Sequence, residues 1–89
     1  MIDVKPITGD RYEVTVSQGQ TTVHEVTVAA KVHQSLTRGK VSAEDLIKAS
    51  FEFLLERESN TSILRRFDLP VIGRYFPEYE RTMRQKFGA

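Results

Sequence analysis

Apolar and polar residues alternate with a period of two through most of the first 29 positions of the chain. Tyr12, Val14 and Val16 fall on one side of an extended segment, with Arg11, Glu13, Thr15 and Ser17 on the other. A second alternation, Thr22, His24, Val26 and Val28, follows Gln18-Gly19-Gln20. Successive side chains of a strand point to opposite faces, so two such runs joined through a glycine-containing turn predict a β-hairpin. Ile2 and Val4 predict a further strand, set off by the turn signal Thr8-Gly9-Asp10. The front of the chain is thus expected to be an antiparallel hairpin or a three-stranded meander.

Near Ala29 the period lengthens. Ala29, Val32 and Leu36 recur at helical spacing, and Gly39 stands where a C-terminal cap would. Ser42 then supplies an N-cap, with Glu44 and Asp45 placing acid in the first turn. The clearest helix is predicted from there to about Glu58. Its apolar stripe is Leu46, Ile47, Ser50, Phe51, Leu54 and Leu55, and Glu44, Lys48, Glu52 and Glu56 form its polar one. A single stripe predicts a single buried face, laid on the sheet. Beyond it the pattern shortens. Ser59 to Ser62 is a polar loop before Ile63, Leu64 and Phe67; Asp68-Leu69-Pro70 starts a second short helix; Pro77 forces a boundary before Tyr79, Met83 and Phe87. The expected architecture is one α+β domain over residues 1–89: an N-terminal antiparallel β-hairpin or three-stranded meander packed by one long amphipathic helix, then short C-terminal helices.

Composition fits an ordinary globular chain, with 39% hydrophobic and 28% charged residues. There is no cysteine, which removes disulfides, thiolate nucleophiles and cysteine-ligated zinc. No apolar run approaches the ~20 residues that span a bilayer, and Met1-Ile2-Asp3-Val4-Lys5 does not read as a signal peptide. A cytoplasmic location without membrane contact is expected. Net charge is +1 but unevenly spread: residues 1–30 carry two basic and four acidic groups, and residues 64–89 carry six basic and three acidic.

The candidate chemistry is sparse. His24 shares a strand face with Val26 and Val28, and a packed histidine is the expectation; His33 is expected to face solvent. Neither belongs to a metal-ligand spacing. The carboxylates between Glu44 and Glu58 alternate with Lys48 as a solvated helix face would. No serine sits in a G-x-S-x-G elbow and no glycine run resembles a phosphate-binding loop. The chain is therefore expected to be no enzyme and to use no cofactor.

The segment 61–84 is the most distinctive. Helix, break and helix around Asp68-Leu69-Pro70 have the outline of a helix-turn-helix, and Arg65, Arg66, Arg74, Arg81, Arg84 and Lys86 could contact phosphates. A recognition helix must offer polar groups to base edges, whereas Val71, Ile72, Tyr75 and Phe76 dominate here. The competing expectation is a protein-interaction surface or homodimer contact formed by Arg65, Arg66, Phe67, Arg74, Tyr75, Phe76, Tyr79 and Met83, since aromatics, Met and Arg are enriched at interfaces. A protein partner or self-association is thus the first expectation, and a nucleic-acid-binding regulator the alternative.

Ile63-Leu64-Arg65-Arg66-Phe67-Asp68-Leu69, followed by Tyr75-Phe76-Pro77-Glu78-Tyr79-Glu80, resembles the tail of small uncharacterised bacterial proteins. With Ser50 to Glu58 the resemblance covers roughly the C-terminal half. It implies a small bacterial-type domain and no particular activity. The order of strands before a helix is also loosely similar to antitoxin-like β-β-β-α domains, a likeness of element order alone.

Overall fold

The alternating front of the chain forms three strands, β1 (Ile2–Thr8), β2 (Arg11–Gln18) and β3 (Gln20–Thr27), in the computed structural model, which describes residues 1–88. They make an antiparallel meander with Val4 opposite Val14, Val14 opposite His24 and Tyr12 opposite Val26. That register collects the apolar side chains of all three strands on one face. Gly19, at φ 78°, turns the chain between β2 and β3 in a conformation that side chains rarely adopt. The β1–β2 register shifts between Pro6 and Thr8, where Ile7 is left 48% exposed.

Two helices follow, α1 (Ala30–Thr37) and α2 (Ala43–Leu55). Ser42 caps α2 as expected: its Oγ accepts the Asp45 N–H at 3.1 Å, and Glu44 and Asp45 occupy the first turn. Ser42→Ala is expected to cost about 1 kcal/mol. In a thermal melt that is a fall of about 4–8 °C for a domain of this size.

The long one-sided amphipathic helix of the sequence pattern is not what forms. α2 is 13 residues, ends at Leu55, and buries Leu46, Ile47, Ala49, Ser50, Phe51, Phe53 and Leu54. Residues two apart on a helix lie about 200° apart around its axis, so Phe51 and Phe53 leave on nearly opposite sides. Phe51 meets the sheet side, with ring centroids 5.4 Å from His24 and 6.1 Å from Phe67. Phe53 meets the C-terminal helices, 6.0 Å from Phe76 and 5.3 Å from Tyr79. α2 is the middle layer of the molecule.

The second departure lies at residues 60–68. A helix through Ile63, Leu64 and Phe67 is replaced by a 3-10 turn (Asn60–Ser62) and a short strand, β4 (Arg66–Asp68). Phe67 and Leu69 are buried while Arg66 and Asp68 are exposed, which is the period of a strand. β4 pairs in parallel with β3, Phe67 opposite Val26. The sheet order is β1-β2-β3-β4, antiparallel except at this last pair. A parallel pair needs a crossover, and α1 and α2 supply it. A second 3-10 turn (Leu69–Val71) then leads into α3 (Ile72–Tyr75) and α4 (Tyr79–Phe87). One continuous core runs from Val14 on the sheet through Phe51 on α2 to Tyr79 and Met83 on α4. Among the described residues, no helix is long and apolar enough to cross a membrane.

Candidate interaction cleft

A cleft of about 140 Å³ opens where the end of α2 meets the segment 62–67 and α3. Its floor is apolar and fixed: Leu54, Ile63, Phe67 and Ile72 are each no more than 8% exposed. Its rim is apolar and exposed. Leu64, 46% exposed, stands on one side and Tyr75, 65% exposed, on the other. Sequence and geometry agree on why Leu64 projects. Ile63 and Leu64 are adjacent in an extended segment, so when Ile63 turns inward Leu64 turns out. Among the described residues the exposed large hydrophobics are Met1, Ile7, Val23, Leu64 and Tyr75, and two of these five line this cleft. The volume is below the ~300 Å³ of small-molecule pockets and suits a single inserted side chain. Glu58 is the charged group of the lining; burial raises its carboxyl above its ordinary value, and no cation pairs with it among the described residues.

The far wall is braced by Arg57. Its guanidinium lies 3.6 Å from the centroid of the Phe53 ring and 6.0 Å from that of Phe76, donates to the Phe53 carbonyl at 2.9 Å, and pairs with Glu78 at 3.2 Å. One side chain thus ties the end of α2 to the turn between α3 and α4.

The near wall is held from within by a buried polar chain. Leu64 O can only accept, so the His24 Nδ1 that lies 2.7 Å from it carries a proton. His24 Nε2 then accepts from Thr22 Oγ1 at 2.9 Å, and Thr22 Oγ1 accepts from Asn60 Nδ2 at 3.1 Å. Asn60 Nδ2 also donates to Gln20 O at 2.8 Å. Every proton in the chain has one direction, and the imidazole must be neutral for it. Burial lowers the His24 pKa below its ordinary value, a shift opposed by the Leu64 carbonyl and aided by the nearby Arg65 cation. This is the packed histidine that the strand pattern suggested. His33, expected to face solvent, instead lies half-buried with Nε2 2.6 Å from Val41 O.

The expected interaction residues divide. Tyr75 and Phe76 line the cleft, and Phe67 lies in its floor. Tyr79 and Met83 do not reach the surface: they are 0% and 2% exposed, on the far side of α2, where Tyr79 Oη sits 2.6 Å from Ser50 Oγ. Phe67, in the cleft floor, is 8% exposed and packs on the sheet side of α2, 6.1 Å from Phe51. Tyr79 and Met83 are core because α2 has a second buried face, which covers apolar surface that a one-sided helix would leave. Arg65, Arg66 and Arg74 are exposed. Arg66 shares Glu25 with Arg11, each at 3.6 Å, and Arg84 pairs with Glu80 at 3.5 Å. Glu58 and Leu64 were missing from the expected site. For Leu64 no local signal would have found it, because the exposed Arg65 interrupts the alternation of Ile63, Phe67 and Leu69.

Among the described residues, fold and cleft define a small α+β domain with a mixed four-stranded sheet and an apolar side-chain cleft beside β4. Comparison with protein-family models, with curated proteins and with solved structures finds no match for this chain.

Proposed function

We propose that this protein is a non-enzymatic interaction module whose cleft receives an apolar side chain of a partner polypeptide. The observation that carries the reading is the exposed pair Leu64 and Tyr75 standing over a rigid apolar floor. An apolar centre surrounded by polar surface is the anatomy of a protein-binding site. Glu58 narrows the partner. A half-buried carboxylate without a cation gains from receiving one, so the ligand is a peptide with a Leu, Ile or Phe anchor beside a Lys or Arg. Selection from a displayed random-peptide library tests this. Enriched peptides should share that pairing, and Leu64→Asp or Tyr75→Asp, both at exposed positions, should each weaken binding at least about tenfold. Glu58→Gln should relax the basic preference and keep the apolar one. Selection without a common anchor, or peptides that bind the variants as well as the parent, would remove the proposal.

The alternative is a nucleic-acid-binding regulator that uses the basic C-terminal segment. It has less support, because Arg66 and Arg84 are already paired with Glu25 and Glu80. Fluorescence anisotropy with labelled DNA and RNA at about 50 and 200 mM salt discriminates: several phosphate contacts give steeply salt-dependent binding.

A further inference from the structure

The free edge of β1 lies at the end of the sheet opposite β4, the strand beside the cleft. Met1 N donates to Ser17 O and Ser17 N to Met1 O, both at 2.9 Å. In an antiparallel ladder hydrogen-bonded and non-hydrogen-bonded pairs alternate. Starting from Met1–Ser17, the peptide groups of Asp3 and Lys5 therefore point to β2, while those of Ile2, Val4 and Pro6 point away from the sheet. β1 is the outermost strand, so these outward groups have no ladder partner. Pro6 stands at an outward position, where its missing N–H costs the sheet nothing. Ile2 and Val4 are half-buried against the edge of the core, and Met1 and Ile7 at either end of the strand are 89% and 48% exposed.

We propose that this edge pairs with the β1 edge of a second copy of the chain, antiparallel and in one register, to give a two-fold dimer with a continuous eight-stranded sheet. Outward residues must meet outward residues, which leaves few symmetric choices. With Ile2 opposite Val4 of the second copy, Asp3 faces Asp3 across the axis, and like charges directly opposite destabilise a sheet. With Val4 opposite Pro6, Lys5 faces Lys5. With Val4 opposite Val4, Asp3 faces Lys5 twice and Ile2 N–H donates to the Pro6 carbonyl twice, while the two Ile2 carbonyls opposite Pro6 are left to water. Of these three registers only the last sets opposite charges, and no like charges, across the axis. Lys5, Pro6 and the register shift after Pro6 are the devices by which edge strands repel partners. Here the charges of Asp3 and Lys5 disfavour the two neighbouring registers, which is how specificity between similar pairings is made. The paired segment is short, so the dimer is weak and transient.

Sedimentation equilibrium and amide NMR of the full chain, from about 20 μM to about 1 mM, where so small an interface associates, test the proposal. Reversible dimerisation should shift the Ile2 and Val4 amides with concentration. Asp3→Lys should raise the dissociation constant about tenfold or more by placing Lys opposite Lys twice. The exchange Asp3→Lys with Lys5→Asp restores the complementary pairs and should restore association. Tyr75→Asp should leave it unchanged, which separates this edge from the cleft. A monomer at every concentration, or a double variant that associates no better than Asp3→Lys alone, would overturn the dimer and leave the edge as a guarded one.

Discussion

Tyr79→Ala will cost the protein about 3–5 kcal/mol, a large part of the roughly 5–15 kcal/mol that holds a domain folded. Tyr79 is fully buried where α2 and α4 meet, and its ring packs edge-on against Phe53 at 5.3 Å. Truncation opens a cavity between two layers that the Arg57 brace and the Phe53–Phe76 contact keep from closing. Tyr79→Phe separates ring from hydroxyl. It removes the 2.6 Å hydrogen bond to Ser50 Oγ but leaves Ser50 donating to Leu46 O at 2.8 Å. No buried donor is orphaned, so this variant should lose only about 1 kcal/mol. Urea titration of the three proteins reads the order directly. Equal losses for Phe and Ala would show that the hydroxyl, and not the ring, fixes this part of the core.

Mild acid will destabilise the protein through His24. Its folded pKa lies below the ordinary value of 6.5, so the unfolded chain takes up a proton first as pH falls. Stability from this group is fully present above about pH 6.5 and is lost as pH drops from there through the lower folded value. The slope is limited to about 1.4 kcal/mol per pH unit, the value for one proton. Protonation also puts a hydrogen on Nε2, so the Thr22 hydroxyl loses the acceptor it now uses. The groups facing the ring are Thr22, the Leu64 carbonyl, Phe51 and the Arg65 cation; burial and Arg65 oppose an imidazolium and outweigh the carbonyl, which favours it. Glu58 acts with the opposite sign, since a carboxyl raised by burial is relieved as acid protonates it. The difference in stability between wild type and His24→Gln across pH 5–7.5 therefore isolates the histidine. A difference that does not change with pH would show that His24 is not the group responsible.

The meander and the start of α2 were legible because their signals are local. Alternation from Tyr12 to Val16, glycine at position 19 and serine at position 42 each decide a structure within a few residues. β4 was not legible. Ile63, Leu64 and Phe67 have the spacing of a helical stripe, and what makes Phe67 a strand residue is Val26, far back in the chain. The same non-locality hid the exposure of the site. Phe53 belonged to no stripe of a one-sided helix, so the second face of α2 went unread, and Tyr79 and Met83 looked like surplus aromatic and thioether surface. Once α2 is a middle layer they have cover, and Tyr75 with Leu64 remains outside. Of the expected arginines, Arg66 could be known as paired only through β4 and Glu25.

The parallel attachment of β4 also orders the assembly of the molecule in time. The meander is built from neighbouring strands and gains its contacts early, whereas the His24–Leu64 and Glu25–Arg65 hydrogen bonds join residues some forty positions apart. Their loop-closure entropy is repaid only after α1 and α2 have folded between them. Residues 60–68 are then expected to dock last and open first, an order that native-state amide hydrogen exchange reads. Because they form one wall of the cleft, the proposed binding site would be lost whenever this segment opens.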